Sequence, residues 1–310
     1  MPRYCEYTPS PTQFDASSSN LQPKAAGRVR QERRLADERT TPRPDTWYAE
    51  SKLRAEQLVP YPLVLACDGL FCAANVSTSG YAMLARGVAN VIAACGSEDQ
   101  RRRLLPALRA GRFLGTMCLS EPQAGSSLSD VATRATPEDQ AHDPLGARYR
   151  LVGHKMWISA GEHEITENIV HLVLAKIVLP DGTLVPGTRG ISLFIVPKKL
   201  VDTEGRLTGE RNDVALAGLN HKLGWRGTTN TLLNFGEGKY PVRGGPGAIG
   251  YLVGKPHEGL RCMFHMMNEA RIGIGLAATS LGLAGYYASL EYARNRPQGR
   301  PVGPAGKDAS

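Results

Sequence analysis

Two short stretches hold the residues whose types and spacing could do chemistry: MCLSEPQAGSS (117–127) and HKMWISAG (154–161). Each is an apolar run that ends in small and hydroxyl-bearing residues. The first reads as a strand, GTMCLS, that stops at Glu121-Pro122 because Pro122 removes a ladder donor. The QAGSS that follows supplies flexible backbone and free N–H groups. The second lies at the end of a strand, YRLVGHKMWIS, in which Trp157 and Ser159 are two residues apart and so share a face. A broad aromatic plate beside a hydroxyl suits a flat heteroaromatic ligand with a hydrogen-bonding edge.

The elements that must position these stretches are of two kinds. LVLACDGLFCAAN and YAMLARGVANVIAACG carry apolar residues at three- and four-residue intervals, as amphipathic helices do. Ser97 is a natural N-cap for a third helix, SEDQRRRLLPALRAGR, with Glu98 and Asp99 in its first turn, where the helix dipole favours acids. Arg101–Arg103 read as a solvated face of that helix rather than a nucleic-acid patch. Seven strands are expected, over 114–120, 130–136, 147–159, 169–178, 190–196, 213–219 and 229–235, divided by turns such as Pro180-Asp181-Gly182. Their number and length predict a small antiparallel barrel or sandwich. From Pro256 a helical period returns for nearly forty residues, with Met263, Met266 and Met267 as core filler.

Taken together, the two motifs resemble the middle β-domain of the acyl-CoA dehydrogenases. In that family they take the forms hydroxyl-Glu-Pro-x-Ala-Gly-Ser and Lys-x-Trp/Phe-Ile-Thr/Ser-x-Gly. The resemblance extends over roughly residues 60 to 300. Three further pieces, 161–177, 210–228 and 247–275, resemble the branch that contains 3-methylmercaptopropionyl-CoA dehydrogenase. A lone Trp on a strand is usually core and a Ser after Gly usually a turn residue. The two motifs at matching separation reverse that reading for Trp157, Ser120 and Ser159.

The resemblance implies an α+β fold: the end of an N-terminal helical domain (59–112), a middle β-domain (113–237), then a linker and the first helices of a C-terminal bundle (238–310). It implies FAD-dependent α,β-dehydrogenation of an acyl-CoA thioester, with electron-transfer flavoprotein as acceptor and a homo-oligomer as the working form. Carried over by motif position, Met117, Leu119, Ser120, Trp157, Ile158 and Ser159 would hold the flavin. Ser126 would meet the CoA arm, although Ser127 stands where the family usually has Asp. Arg271 would lie near the substrate, or else form an ion pair on its helix with a residue such as Glu269. Arg296 would reach the FAD of a neighbouring subunit, although RPQGR replaces the family's Arg-x-x-Phe-Gly.

The general base is the missing part. In some relatives it immediately precedes the arginine matched by Arg271, and that position here is Ala270. Glu269 is one residue away, a rotation of about 100° around a helix, and is not assigned. In most relatives the base lies in later helices, beyond residue 310. The expectation is a chain without its base and with half a bundle, binding FAD poorly and turning over slowly or not at all. The apolar face of 256–294 would then favour association.

Composition bounds the alternatives. With 42% hydrophobic and 21% charged residues over 310, the chain has the makeup of a globular protein of two or three domains. No run is expected to reach the ~20 apolar residues of a membrane span, and the first twenty residues lack a signal-like apolar core. Six scattered cysteines without a CxxC pair point to free thiols in a reducing, cytoplasmic setting. A net charge of +8 keeps a DNA-associated relative in view, as does a non-catalytic flavin-binding or scaffold remnant. No GxGxxG follows a strand, so a Rossmann reading lacks support. His163, His171, Glu162, Glu164 and Glu167 do not have the spacing of a helical zinc motif, and no metal is expected. Residues 1–58, rich in Ser, Pro, Gln and Arg, read as a disordered leader, with a short helix possible at 49–58.

Overall fold

The computed structural model describes residues 61–299, so the expected leader and its short helix lie outside the described residues. Helix α1 (Tyr61–Cys95) is two helices joined at Asn75, which has extended backbone angles (φ −160°, ψ 93°). The Asn75 side chain accepts from the Thr78 amide at 3.1 Å, capping the second half. The break falls where the two sequence patterns meet. Helix α2 (Glu98–Arg109) opens with a complete capping box between Ser97 and Gln100. Arg103 corrects the solvated-face reading: it is buried, pairs with Asp99 and donates to the Thr203 carbonyl at 2.9 Å.

Ten strands follow: β1 (Phe113–Cys118), β2 (Arg134–Asp143), β3 (Gly146–Ser159), β4 (Asn168–Ile177), β5 (Ile191–Pro197), β6 (Lys199–Val201), β7 (Leu207–Arg211), β8 (Val214–Leu219), β9 (Asn230–Phe235) and β10 (Ala248–Val253). Strands β4, β5, β10, β3 and β2 form a closed circuit, because β2 pairs with both β3 and β4. Closure leaves those strands without a free edge. β1 is added beside β4, and the β9–β8 pair beside the second half of β3. The β1–β4 and β2–β4 pairings are parallel, so the barrel is mixed rather than wholly antiparallel. Strand β10 lies in a segment read from the sequence as linker; GAIGYLV has too many glycines and too little alternation to signal a strand.

Helix α3 (Gly259–Asn295) is one continuous helix of 37 residues. It packs along α1 and against β5. Two cores result. One, with Val88, Ile92, Leu104, Leu172, Leu193, Met263 and Met266, seals the helices onto the sheet. The other, with Cys118, Leu151, Ile158, Val173, Phe194 and Phe235, fills the barrel. Alternation along β4 explains the division, since Leu172 and Leu174 face the helices while Val173 and Ala175 face the barrel. Leu63–Cys95 would be long and apolar enough to cross a membrane by length and composition alone, but it carries Asp68 and Arg86 and is divided at Asn75. Ile272, Leu283, Tyr286 and Tyr287 of α3 stand exposed.

Candidate functional site

The second motif is shaped by a β-bulge. Lys155 pairs with Leu233 and Ile158 with Thr231, so Met156 and Trp157 together face the single residue Leu232. Trp157 takes up the extra length in the left-handed region at φ 65°, a conformation that is uncommon and costly for a bulky residue. Lys155 and Ile158 stay buried while Trp157 is 56% exposed. The simple two-residue spacing argument therefore does not hold, because the strand is not regular there. The bulge nevertheless leaves Trp157 and half-buried Ser159 on either side of inward-facing Ile158.

The first motif lies directly against the bulge. The Met156 amide donates to the Ser120 carbonyl at 3.0 Å. Lys155 Nζ donates to the Leu119 carbonyl at 3.0 Å and to Glu121 Oε1 at 2.8 Å. The two oxygens of Glu121 also accept from the amides of Ala132 and Thr133, the Thr133 hydroxyl and the Gln123 side chain. Burial pushes the Glu121 carboxyl up, but Lys155 and these donors hold it below the ordinary carboxylate range. Burial pulls the Lys155 ammonium down against the opposing pull of Glu121.

The far side of the motif is held from α1. Tyr81 Oη accepts from the Thr229 amide at 3.1 Å, and Thr229 in turn accepts from the Ala160 amide at 2.8 Å. Asn230 Nδ2 donates to Ser159 Oγ at 3.4 Å, and the Thr231 hydroxyl donates to the Ile158 carbonyl at 3.0 Å. Sequence reasoning does not assign a role to Tyr81, Glu121, Lys155 or Asn230. Glu121 and Lys155 do stand at the Glu and Lys of the two motifs, and that is the signal that could have found them.

The structure brings Leu119, Ser120, Trp157, Ile158 and Ser159 together, and sets the other expected residues around them. Met117 is half-buried and lines an apolar hollow with Met83, Leu84, Gly87, Met266, Glu269 and Ala270. Ser126 is exposed in the loop after Glu121. Arg271 is exposed beside the Phe264 ring, 5.7 Å from its centre, and Glu269 is not its partner. Glu269 is held instead by Arg86 at 3.2 Å and by Asn90 at 2.8 Å. Arg296 pairs with Tyr292 near the end of α3, about 37 Å along the helix from Arg271 at 1.5 Å per residue. Among the described residues no three His, Cys, Asp or Glu side chains stand together as a metal site.

No family model matches the sequence. Individual proteins do. The chain is 40% identical over 251 residues to 3-methylmercaptopropionyl-CoA dehydrogenase of Ruegeria pomeroyi, an alignment covering 81% of this chain and 39% of that protein. The chain belongs to the acyl-CoA dehydrogenase family. A butyryl-CoA dehydrogenase of Syntrophomonas wolfei is 38% identical over 220 residues, covering 69% of this acyl-CoA dehydrogenase chain and 33% of the relative. The fold agrees: the structure of an acyl-CoA dehydrogenase complexed with FAD from Bacillus anthracis superposes with a TM-score of 0.57 at 23% identity, over 74% of this chain and 34% of that one. The chain spans about two-fifths or less of the length of these relatives.

Proposed function

We propose that this chain forms the flavin-holding face of an acyl-CoA dehydrogenase site. The observation that carries the reading is the bulge at Met156–Trp157, bonded to Ser120, which sets an exposed indole beside two hydroxyls and an open backbone segment. An outlying backbone angle on a solvent-facing Trp is costly, and strain of this kind clusters at ligand-binding sites. The residues fit FAD, the group named for the Bacillus anthracis relative. Leu119, Ser120 and Ser159 offer donors along one edge, Trp157 backs a face, Ile158 points into the barrel and would contribute through its backbone, and Met117 lies toward the helices. When bound, FAD supplies the hydride acceptor for dehydrogenation of an acyl-CoA thioester.

The chain's own residues bind and orient. Ser126, on the exposed loop, would contact the CoA arm, and Arg271 the acyl end. Arg296, far from this cluster along α3, would serve the site of a second copy. Electron-transfer flavoprotein is the proposed electron acceptor. The weak point is proton abstraction, which needs a carboxylate near the thioester. Glu269 is the one carboxylate lining the hollow beside Met117, and it is committed to Arg86 and Asn90. Turnover by this chain is therefore expected to be slow or absent even where flavin binds.

The test is a visible spectrum of the purified chain titrated with FAD, then with a short acyl-CoA. A bound flavin band lost in Trp157→Ala supports the reading. A colourless chain at high FAD overturns it, and rapid bleaching by acyl-CoA overturns the expectation of slow turnover.

A further inference from the structure

We propose that Lys155 and Glu121 are positioning residues that fix the two flavin-facing segments relative to each other and aim the Ser120 amide outward. The proposal rests on the reading of 117–121 and 155–159 as the flavin face. Neither side chain can touch a ligand: Lys155 is fully buried and Glu121 nearly so. Their partners lie on three segments: the Leu119 carbonyl after β1, the Ala132 and Thr133 amides before β2, and Lys155 itself on β3.

The geometry of the peptide bond supplies the mechanism. In a trans peptide the carbonyl and the following N–H point in opposite directions. Lys155 Nζ holds the Leu119 carbonyl at 3.0 Å on the buried side. The Ser120 N–H is thereby turned away from Lys155. It donates to no acceptor among the described residues. The next carbonyl, that of Ser120, then receives the Met156 amide at the base of the bulge. One buried ammonium thus sets a donor direction in the first motif and, through its own backbone, the place of Trp157 in the second. Glu121 accepts from Lys155 Nζ at 2.8 Å and keeps it aimed, while its second oxygen, holding Gln123 and the Ala132 amide, shapes the loop toward Ser126.

A buried pair broken on one side is destabilising in any protein, so a single variant does not separate positioning from stability. The informative comparison is Lys155→Met with the neutral double variant Glu121→Gln/Lys155→Met. In the double variant no charge is left unpaired; the single amide oxygen that replaces the carboxylate keeps either the Thr133 donors or the Ala132 donor, which bond to different oxygens of Glu121, and the amide NH2 faces the other. For each variant of the full chain, three quantities are read: the thermal midpoint, FAD affinity by flavin absorbance, and amide exchange in peptides covering 119–121 and 154–160. The proposal expects the double variant to regain the part of the midpoint that Lys155→Met loses through its unpaired buried charge. It also expects FAD binding about tenfold or more below wild type, and fast exchange at Met156. Wild-type FAD affinity with wild-type exchange in the double variant would overturn it. If the wild-type chain takes up no FAD, the flavin reading fails, but the exchange data still decide the pair: slow exchange at Met156 in the double variant overturns it, and fast exchange supports it.

Discussion

The Met156 amide and the Ser120 carbonyl, 36 residues apart in sequence, are joined at 3.0 Å, and that bond closes the bulge in which Trp157 sits. It is the direct backbone link between the two motifs. Its consequence is that Trp157 occupies a left-handed conformation within a strand, which leads to a prediction with an inverted sign. Glycine in a regular strand is normally worse than alanine. At φ 65° the order should reverse, because alanine keeps the left-handed strain and glycine does not. Trp157→Gly is expected to be more stable than Trp157→Ala by about 1 kcal/mol in denaturant unfolding, and both should lose FAD affinity. Alanine equal to or above glycine would mean that the bulge relaxes when the indole is removed.

Two glycines near the motifs should respond in opposite ways. A Cβ on Gly161 would land on Thr231 Oγ1, the hydroxyl that holds the Ile158 carbonyl, and press on Leu233 and Ile158. Gly161→Ala is expected to cost about 1–3 kcal/mol by overpacking. Gly125, in the loop before Ser126, has nothing within 4 Å of such a Cβ and no left-handed angle. Gly125→Ala should be neutral or stabilising by up to about 1 kcal/mol. Parallel urea titrations of the two variants make the comparison.

What is legible in the sequence, and what is not, follows from the same details. Strands such as β4 and β5 can be found because continuous apolar runs bounded by turns mark buried strands. The helix break at Asn75 falls where two periodic patterns meet, and the Ser97 cap is readable because capping is local chemistry. The bulge cannot be read, since one extra residue leaves no mark on a period of two. β10 is hidden by Gly250 within it and Gly247 just before it. Glu121 and Lys155 are visible as motif positions, but their pairing is hidden, because pattern reading places charged residues at the surface unless a partner distant in sequence is known. The positions of the motif residues are therefore legible, and the contacts that hold them are not.

Stability should fall in acid through His171. The ring is fully buried and edge-on to Phe235; its Nδ1 lies 2.8 Å from the Thr116 hydroxyl, and its Nε2 has no partner among the described residues. Burial, with the nearby charges of Lys198 and His163, pulls its pKa down to about 3. The folded state therefore keeps a neutral ring that the unfolded chain protonates near its ordinary value. That contribution is fully present above about pH 6.5 and is lost progressively as pH falls toward 3, amounting to about 2 kcal/mol between pH 7 and 5. His163, also lowered by burial and Lys198, adds in the same direction. In a denaturant series from pH 7.5 to 5, His171→Gln should flatten the slope by close to one proton. An unchanged slope would show that His171 titrates normally in the folded protein.

The last prediction concerns the carboxylate nearest the hollow. Arg86 on α1 bridges Asp68 at 2.6 Å and Glu269 on α3 at 3.2 Å, and Asn90 donates to the other oxygen of Glu269. Burial works against the Arg86 charge, but the two carboxylates outweigh it and raise its pKa. The group is partly solvent-accessible, so water screens the interaction, and a double-mutant cycle on Arg86→Met and Glu269→Gln should give a coupling of about 0.5–1 kcal/mol. Arg86→Met alone should cost more than Glu269→Gln alone, because it leaves Asp68 and Glu269 without their shared cation. If Glu269 only ties α1 to α3, Glu269→Gln should leave FAD affinity unchanged and should not further depress any residual acyl-CoA oxidation. A loss of more than about tenfold in that residual rate, with FAD affinity intact, would instead make Glu269 the proton acceptor and Arg86 the group that tunes it.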